Sequence, residues 1–357
     1  MKKPSIKKIQ IRKKAAQPPQ RITNETVAEH RERILAGGRK FKYPIQYARH
    51  KLVINTLLIV VASLAIFSGL TWWQLYKEQT SNTFFYRITM LIPLPAASVD
   101  GISVRYSDYL MGYRSSEYYL RQYDQIDPSS ADGKRQLDYV KRKTMDNAIL
   151  AAYAGHVAVL RGISVTSGDI DQIINRDKET QNGTVSQEAY DASAMRYLNW
   201  SRDEYRHDAE QRLLVQKVSF AVDDTANNFQ QKIAQILAQT PTIAMQDTIK
   251  QLAVTGDSAP RYGVSGLTSV TGATSNLPSE AQKLTKGQVS GVIKSSMGDG
   301  YYFIRLLEKN DSQVNYEFIQ VPLTQLKATV LHLRQQGKIK EYITVPALED
   351  HTSAPTN

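Results

Sequence analysis

The stretch Leu52–Leu70, LVINTLLIVVASLAIFSGL, runs for 19 residues without a charge. As a helix rising about 1.5 Å per residue, it is just long enough to cross a hydrocarbon core of roughly 30 Å. Trp72, Trp73 and Tyr76 follow it, and amphipathic rings of this kind settle at a membrane–water boundary. Lys40, Lys42, Arg49 and Lys51 precede it. A basic flank stays on the cytoplasmic side, so the run predicts a transmembrane helix over 52–73, a cytoplasmic segment 1–51 and an extracytoplasmic remainder. A cleaved signal peptide fits less well. Its lead would be unusually long and charged, and the small residues Ser63-Leu64-Ala65 lie inside the apolar run rather than after it.

The 357 residues hold 45 Lys+Arg and 34 Asp+Glu, a net charge of +11. The excess is local: residues 1–51 carry 15 basic residues against three acids, and the other 306 carry 30 against 31. A basic groove on a folded domain is therefore not indicated, and no nucleic-acid partner is expected. Residues 1–40 show little apolar periodicity and read as mostly disordered, apart from a short helix over Thr26–Ala36. Lys7, Lys8, Lys13 and Lys14 are placed to rest on anionic lipid. Cysteine is absent, which excludes disulfide scaffolds, thiolate metal sites and cysteine nucleophiles. Neither GxGxxG nor GxxxxGK occurs, and no metal-ligand spacing stands out, so neither cofactor nor metal is expected. His156 reads as structural. His207, among Arg202, Asp203, Glu204, Arg206 and Asp208, reads as solvated surface.

Residues 84–217 have mainly helical periodicity. Phe84–Ile92 reads as a strand closed by Pro93 and Pro95, and Asp100-Gly101 as a tight turn. Tyr106, Tyr109, Leu110, Tyr113 and Tyr119 then recur on one helical face. A longer helix carries Leu137, Val140, Thr144, Ala148, Ala151, Gly155 and Val159 in a stripe and stops at Gly162. Thr166 with Asp169, and Ser201 with Glu204, have the spacing of capping boxes. A polar break at Asn182-Gly183 lies between the helices that follow Thr166 and those that precede Ser201. The chain has 20 tyrosines, whose large amphipathic rings suit recognition of extended peptides; Tyr109, Tyr113, Tyr118, Tyr119 and Tyr123 are the candidate cluster.

Over 218–310 the period shortens. Val218–Val222 reads as a strand, helices follow through Leu237 and Leu252, and a Gly/Ser/Thr-rich loop fills 256–276. A short helix over Ser279–Leu284 and two closing strands complete a small α+β unit. In 311–342, Val314, Tyr316 and Phe318 alternate as a strand and a helix runs from Leu323 to Ile339. The end, 343–357, reads as disordered.

The stretch KLTKGQVSGVIKSSMGDGYYFIRLLEK (Lys283–Lys309) resembles the C-terminal half of a parvulin-type peptidyl-prolyl isomerase domain. The preceding helical unit resembles the N-terminal chaperone domain of the SurA, PrsA and PpiD class of extracytoplasmic foldases. The segments VDGISVRYSDY (99–109), RGISVTSGDIDQII (161–174) and WSRDEYRHDAEQRLLVQKV (200–218) match it in kind and order. The resemblance implies a single transmembrane helix, an all-α chaperone-like domain, a small α+β parvulin-like domain, and a C-terminal helix that either returns to the helical domain or packs on the parvulin-like one. The implied partners are the bilayer and unfolded or newly secreted polypeptides. Isomerisation of an X-Pro bond requires only a grip on the ring and polar groups that favour the twisted amide. The family's two histidines fall on Phe220, in the expected first strand, and on Tyr302 in the closing strand. Its Cys/Asp position falls on Asp257, and the aromatic floor of its proline pocket near Leu277. With both histidines replaced, two readings stand: a membrane-tethered foldase or holdase for unfolded secreted chains, whose parvulin-like unit either retains isomerase activity or is kept for binding, and a non-catalytic envelope assembly or scaffold protein that binds one dedicated partner.

Overall fold

The computed structural model describes residues 23–180, 183–272 and 274–347. The basic segment with Lys7, Lys8, Lys13 and Lys14, the Asn182 break and the end of the C-terminal tail lie outside the described residues. The chain divides between Thr71 and Trp72 into two compact units.

The first unit is built on α1 (Asn24–Tyr76), a continuous helix where only a short one over Thr26–Ala36 and a separate span were expected. Its candidate membrane span, His50–Tyr76, has a mean hydropathy of 2.3, and its most apolar stretch is not buried inside the protein. Leu52, Leu57, Leu58, Ile59, Leu64 and Ile66 are all exposed. By length and composition, this helix is a candidate to cross a membrane.

The second unit opens with the last turn of α1. Leu75 is fully buried, its carbonyl accepts the Tyr106 hydroxyl, and the Tyr76 hydroxyl donates to the Pro95 carbonyl at 2.8 Å. Next comes α2 (Thr83–Leu91), where alternation had suggested a strand. The Asn82 side chain accepts the Phe84 N–H and starts the helix, and Tyr86 and Thr89 turn inward at helical spacing. β1 (Pro95–Val99) and β2 (Ile102–Arg105) form a hairpin whose turn residues Asp100 and Gly101 both have positive φ, 49° and 83°. α3 (Tyr106–Gln122) and α4 (Ala131–Arg161) pack on it, and α4 ends on Gly162 in the left-handed region.

α5 (Ser167–Asp177) and α7 (Arg202–Val222) each begin with a complete capping box, Thr166/Asp169 and Ser201/Glu204. Between them lie the two-residue strands β3 (Glu179–Thr180) and β4 (Gly183–Thr184), then α6 (Gln187–Ser193) and a π-helical turn, Ala194–Leu198. α7 runs through Val218–Val222, which had read as a strand. A five-residue apolar run has no period of its own, and extending an existing helix avoids a new nucleus. The helix stops at Asp223.

Beyond it come α8 (Asp224–Gln239), α9 (Met245–Leu252), β5 (Arg261–Val264), β6 (Thr268–Ser269), α10 (Leu277–Gln282), β7 (Ile293–Lys294), β8 (Gly300–Lys309) and β9 (Gln313–Pro322). The antiparallel sheet has the order β5-β9-β8-β7, with β6 also paired to β9. β8 lies between β7 and β9, so its long partner is a strand that follows it in sequence, whereas the reading of 218–222 had put a further preceding strand in this unit. α8 and α9 cover one face, with Ile233, Leu237 and Met245 against Tyr301, Phe303, Ile319 and Val321. α10 covers the other, with Leu277 and Ala281 against Tyr302, Ile304, Leu306 and Tyr316.

α11 (Gln325–Gln335) is shorter than the helix expected to Ile339; Gly337, at φ 70°, turns the chain into β10 (Ile339–Glu341). β10 pairs with β1, so the order of the small sheet is β10-β1-β2. Val330, Leu333 and Ile343 share one buried cluster with Leu75, Val99, Tyr106 and Met145. The C-terminal segment is therefore part of the helical domain's core, and Ile343, assigned above to a disordered tail, is buried there.

Candidate functional site

Successive side chains of a strand point to opposite faces, and β8 divides the expected proline pocket accordingly. Tyr302 and Leu277 share the cluster under α10. Phe220 lies in the other cluster, edge-on to Tyr301 with ring centroids 5.0 Å apart and the Lys294 ammonium 5.3 Å from its own ring centroid. Phe220 is therefore a helical core residue at the end of α7, and it does not line one pocket with Leu277 and Tyr302. Asp257 is exposed in the loop before β5, where its carbonyl accepts a hydrogen bond from Arg261 at 3.3 Å, and it belongs to neither cluster.

On the α10 face a polar group does surround Tyr302. Its hydroxyl donates to Asp299 Oδ2 at 2.6 Å, and the amide of Gln320, its cross-strand neighbour, donates to the same oxygen at 3.1 Å. Phe318 lies against the Tyr302 ring at 5.6 Å, and Tyr316 against Phe318 at 6.3 Å. Burial, with the Asp299 carboxylate second, pushes the Tyr302 phenol to far higher pKa than free tyrosine. It stays protonated at neutral pH and acts as a hydrogen-bond donor rather than as a base. From sequence, neither Asp299 nor Gln320 nor Phe318 was placed beside Tyr302. Alternation marked β9 as a strand, but nothing local names the strand beside it. An open cleft of roughly 240 Å³ lies along Glu280, Lys283, Leu284 and Gln288–Ile293, near the same face.

In the helical domain the tyrosines divide between core and surface. Tyr109 and Tyr113 are buried and stacked at 6.0 Å with planes 4° apart, and Tyr106 is fully buried beside them. Desolvation raises all three phenols. Tyr109 and Tyr113 are thus packing residues, which corrects their assignment as peptide contacts: inward spacing on α3 places them under α4 and β1. Tyr119 is 42% exposed and starts a ladder of rings: Tyr119–Tyr123 at 5.2 Å, then Tyr123–Tyr197 at 5.1 Å. The Tyr123 hydroxyl donates to the Arg196 carbonyl, and the Arg196 guanidinium lies 5.6 Å from the Tyr197 ring centroid. Met195 is exposed beside them. The π-helical turn and Asn199 at φ 54° turn Tyr197 outward.

His156 is exposed. His207 is no free surface group: its Nε2 lies 3.0 Å from Asp108 Oδ1 and ties α7 to α3. That carboxylate raises the histidine's pKa. Among the described residues no group of three or more His, Cys, Asp or Glu is arranged to hold a metal ion.

Residues 45–219 match the family described as the SurA-like N-terminal domain. The match covers the membrane-span candidate and the helical domain up to α7, within which it ends, so both the sheet domain and the C-terminal return lie beyond it. No curated protein and no solved structure gives a significant match.

Proposed function

We propose that this chain is a membrane-tethered extracytoplasmic chaperone that holds unfolded or newly secreted polypeptides. The similarity of residues 45–219 to the SurA-like N-terminal domain carries the reading. The apolar span at His50–Tyr76, with its basic flank, supports the tether and the orientation. The ladder Tyr119–Tyr123–Tyr197 with Arg196 and Met195 is the client surface in this proposal. Exposed rings with few rotamers grip extended chains at low entropic cost, and the adjacent cation suits aromatic and acidic client residues.

The sheet domain is, on this reading, a parvulin-like unit kept for binding. Binding rather than catalysis is the role this proposal gives it: the positions of the family's two histidines hold Phe220 and Tyr302, and the Tyr302 hydroxyl donates to Asp299. In the full chain reconstituted in nanodiscs, aggregation of a chemically unfolded client is expected to be suppressed, and Tyr119→Ala with Tyr197→Ala is expected to weaken that suppression. Equal affinity for folded and unfolded chains would overturn the proposal. The cis-to-trans rate of a short proline peptide is expected to be unchanged by the protein. An acceleration that Tyr302→Phe removes would instead make the sheet domain an isomerase.

A further inference from the structure

We propose that α2 rests in the headgroup–acyl boundary of the bilayer that α1 crosses, with Met90, Leu91 and Ile92 in lipid, so that the extracytoplasmic domain is docked on the membrane rather than suspended above it. The inference rests on reading α1 as a membrane span. The outward side of α2 is largely apolar. Tyr86 and Thr89 face the protein, while Met90 and Leu91 face outward beside Arg87 and Ile92 continues the patch; Leu91 is 85% exposed. Such a helix needs a second apolar medium for its outer side.

Its position identifies that medium. Only the six residues Lys77–Asn82 separate the end of α1 from α2. Leu75 of α1 and Tyr86 of α2 are buried in the same cluster, so the patch belongs to the end of the domain at which the span arrives. Trp72 and Trp73, at the boundary of the apolar run, are both about half exposed, 52% and 51%. The buried Leu75 side chain, the hydrogen bond from Tyr106 to its carbonyl and that from Tyr76 to Pro95 make the last turn of α1 a part of the domain. Lys77 and Arg87, both exposed, supply the cations that anionic headgroups attract.

The absence of cysteine permits single labels on an otherwise native chain. Spin labels are placed at Leu91→Cys and Ile92→Cys, at Leu64→Cys within the span, and at Val159→Cys, an 81% exposed position at the end of α4. The full chain is reconstituted into vesicles of mixed zwitterionic and anionic phospholipid, and accessibility to oxygen and to a water-soluble nickel chelate is measured. The expected result is that labels at Leu91 and Ile92 shift toward oxygen relative to Val159, at a depth between Val159 and Leu64. A water-exposed label at Leu91 beside a lipid-buried label at Leu64 would overturn the inference and leave the tether intact. Shielding of Leu91 from both reagents would overturn it in favour of a second copy or a protein partner. A water-exposed label at Leu64 would overturn the span reading, and the docking inference with it.

Discussion

Arg142 of α4 and Glu341 of β10 stand 199 positions apart in the chain and meet through two hydrogen bonds, Nη1 to Oε2 at 3.0 Å and Nη2 to Oε1 at 2.7 Å. Arg142 also reaches Asp146 at 2.6 Å, and Arg334 of α11 bonds both Asp146 and Glu341. Two guanidinium and two carboxylate groups thus lock the C-terminal return onto the long helix. Arg142 is largely withdrawn from water, so removal of a partner leaves a poorly solvated charge. Glu341→Ala is expected to cost about 2–4 kcal/mol in denaturant unfolding. A cost within error of zero would mean that β10 is held by its strand pairing and apolar contacts alone.

Asp223 makes a second junction. Its side chain is almost fully buried; Oδ1 accepts the Ala226 N–H at 2.9 Å, and Oδ2 accepts those of Thr324 and Gln325 at 2.7 and 2.9 Å. One carboxylate therefore caps α8 and receives the entry to α11. Asp223→Ala is expected to destabilise by about 2–4 kcal/mol, and Asp223→Asn by less because one acceptor remains. Amide exchange should quicken first at the N-termini of α8 and α11; uniform acceleration across the chain would contradict this local role.

Gly263 faces Phe318 across the β5–β9 pair, and a Cβ there would lie 2.3 Å from the ring. The ring cannot simply rotate away, because it is wedged against Tyr302 and Tyr316. Gly263→Ala is expected to cost about 1–3 kcal/mol by overpacking. It should also shift the aromatic resonances of Tyr302, and unperturbed Tyr302 signals would show that β5 yields instead of the ring.

The His207–Asp108 contact carries a pH signature. Unfolded, the imidazole titrates near its ordinary value of 6.5; folded, it titrates higher because Asp108 favours the charged ring. The stabilisation is therefore fully present below pH 6.5 and is lost as pH rises through the folded pKa. His207→Gln should remove this part of the pH dependence, as read from urea midpoints on the acid and alkaline sides of neutrality. If wild type and variant have parallel pH profiles, the pair contributes nothing to folding.

What the sequence determined by itself was whatever depends on neighbours along the chain. The uncharged run at 52–70 is a helix because its backbone bonds close locally, and Thr166/Asp169, Ser201/Glu204, Asp100-Gly101 and Gly162 each sit where their own side chains or backbone freedom place a cap or turn. The short runs Phe84–Ile92 and Val218–Val222 were misread because five to nine such residues satisfy either period, and the Asn82 cap that starts the first of them went unread. Only the tertiary structure decided that β9 lies beside β8, that β10 closes on β1, and that Tyr109 and Tyr113 are core while Tyr119 is surface. The candidate site changed for the same reason: with no strand at 218–222, Phe220 became a helical core residue, and the neighbours of Tyr302 became Asp299, Gln320 and Phe318. Pairings across tens to hundreds of residues leave no periodic mark on either segment. They are chosen by the burial and hydrogen bonding that the assembled chain makes possible.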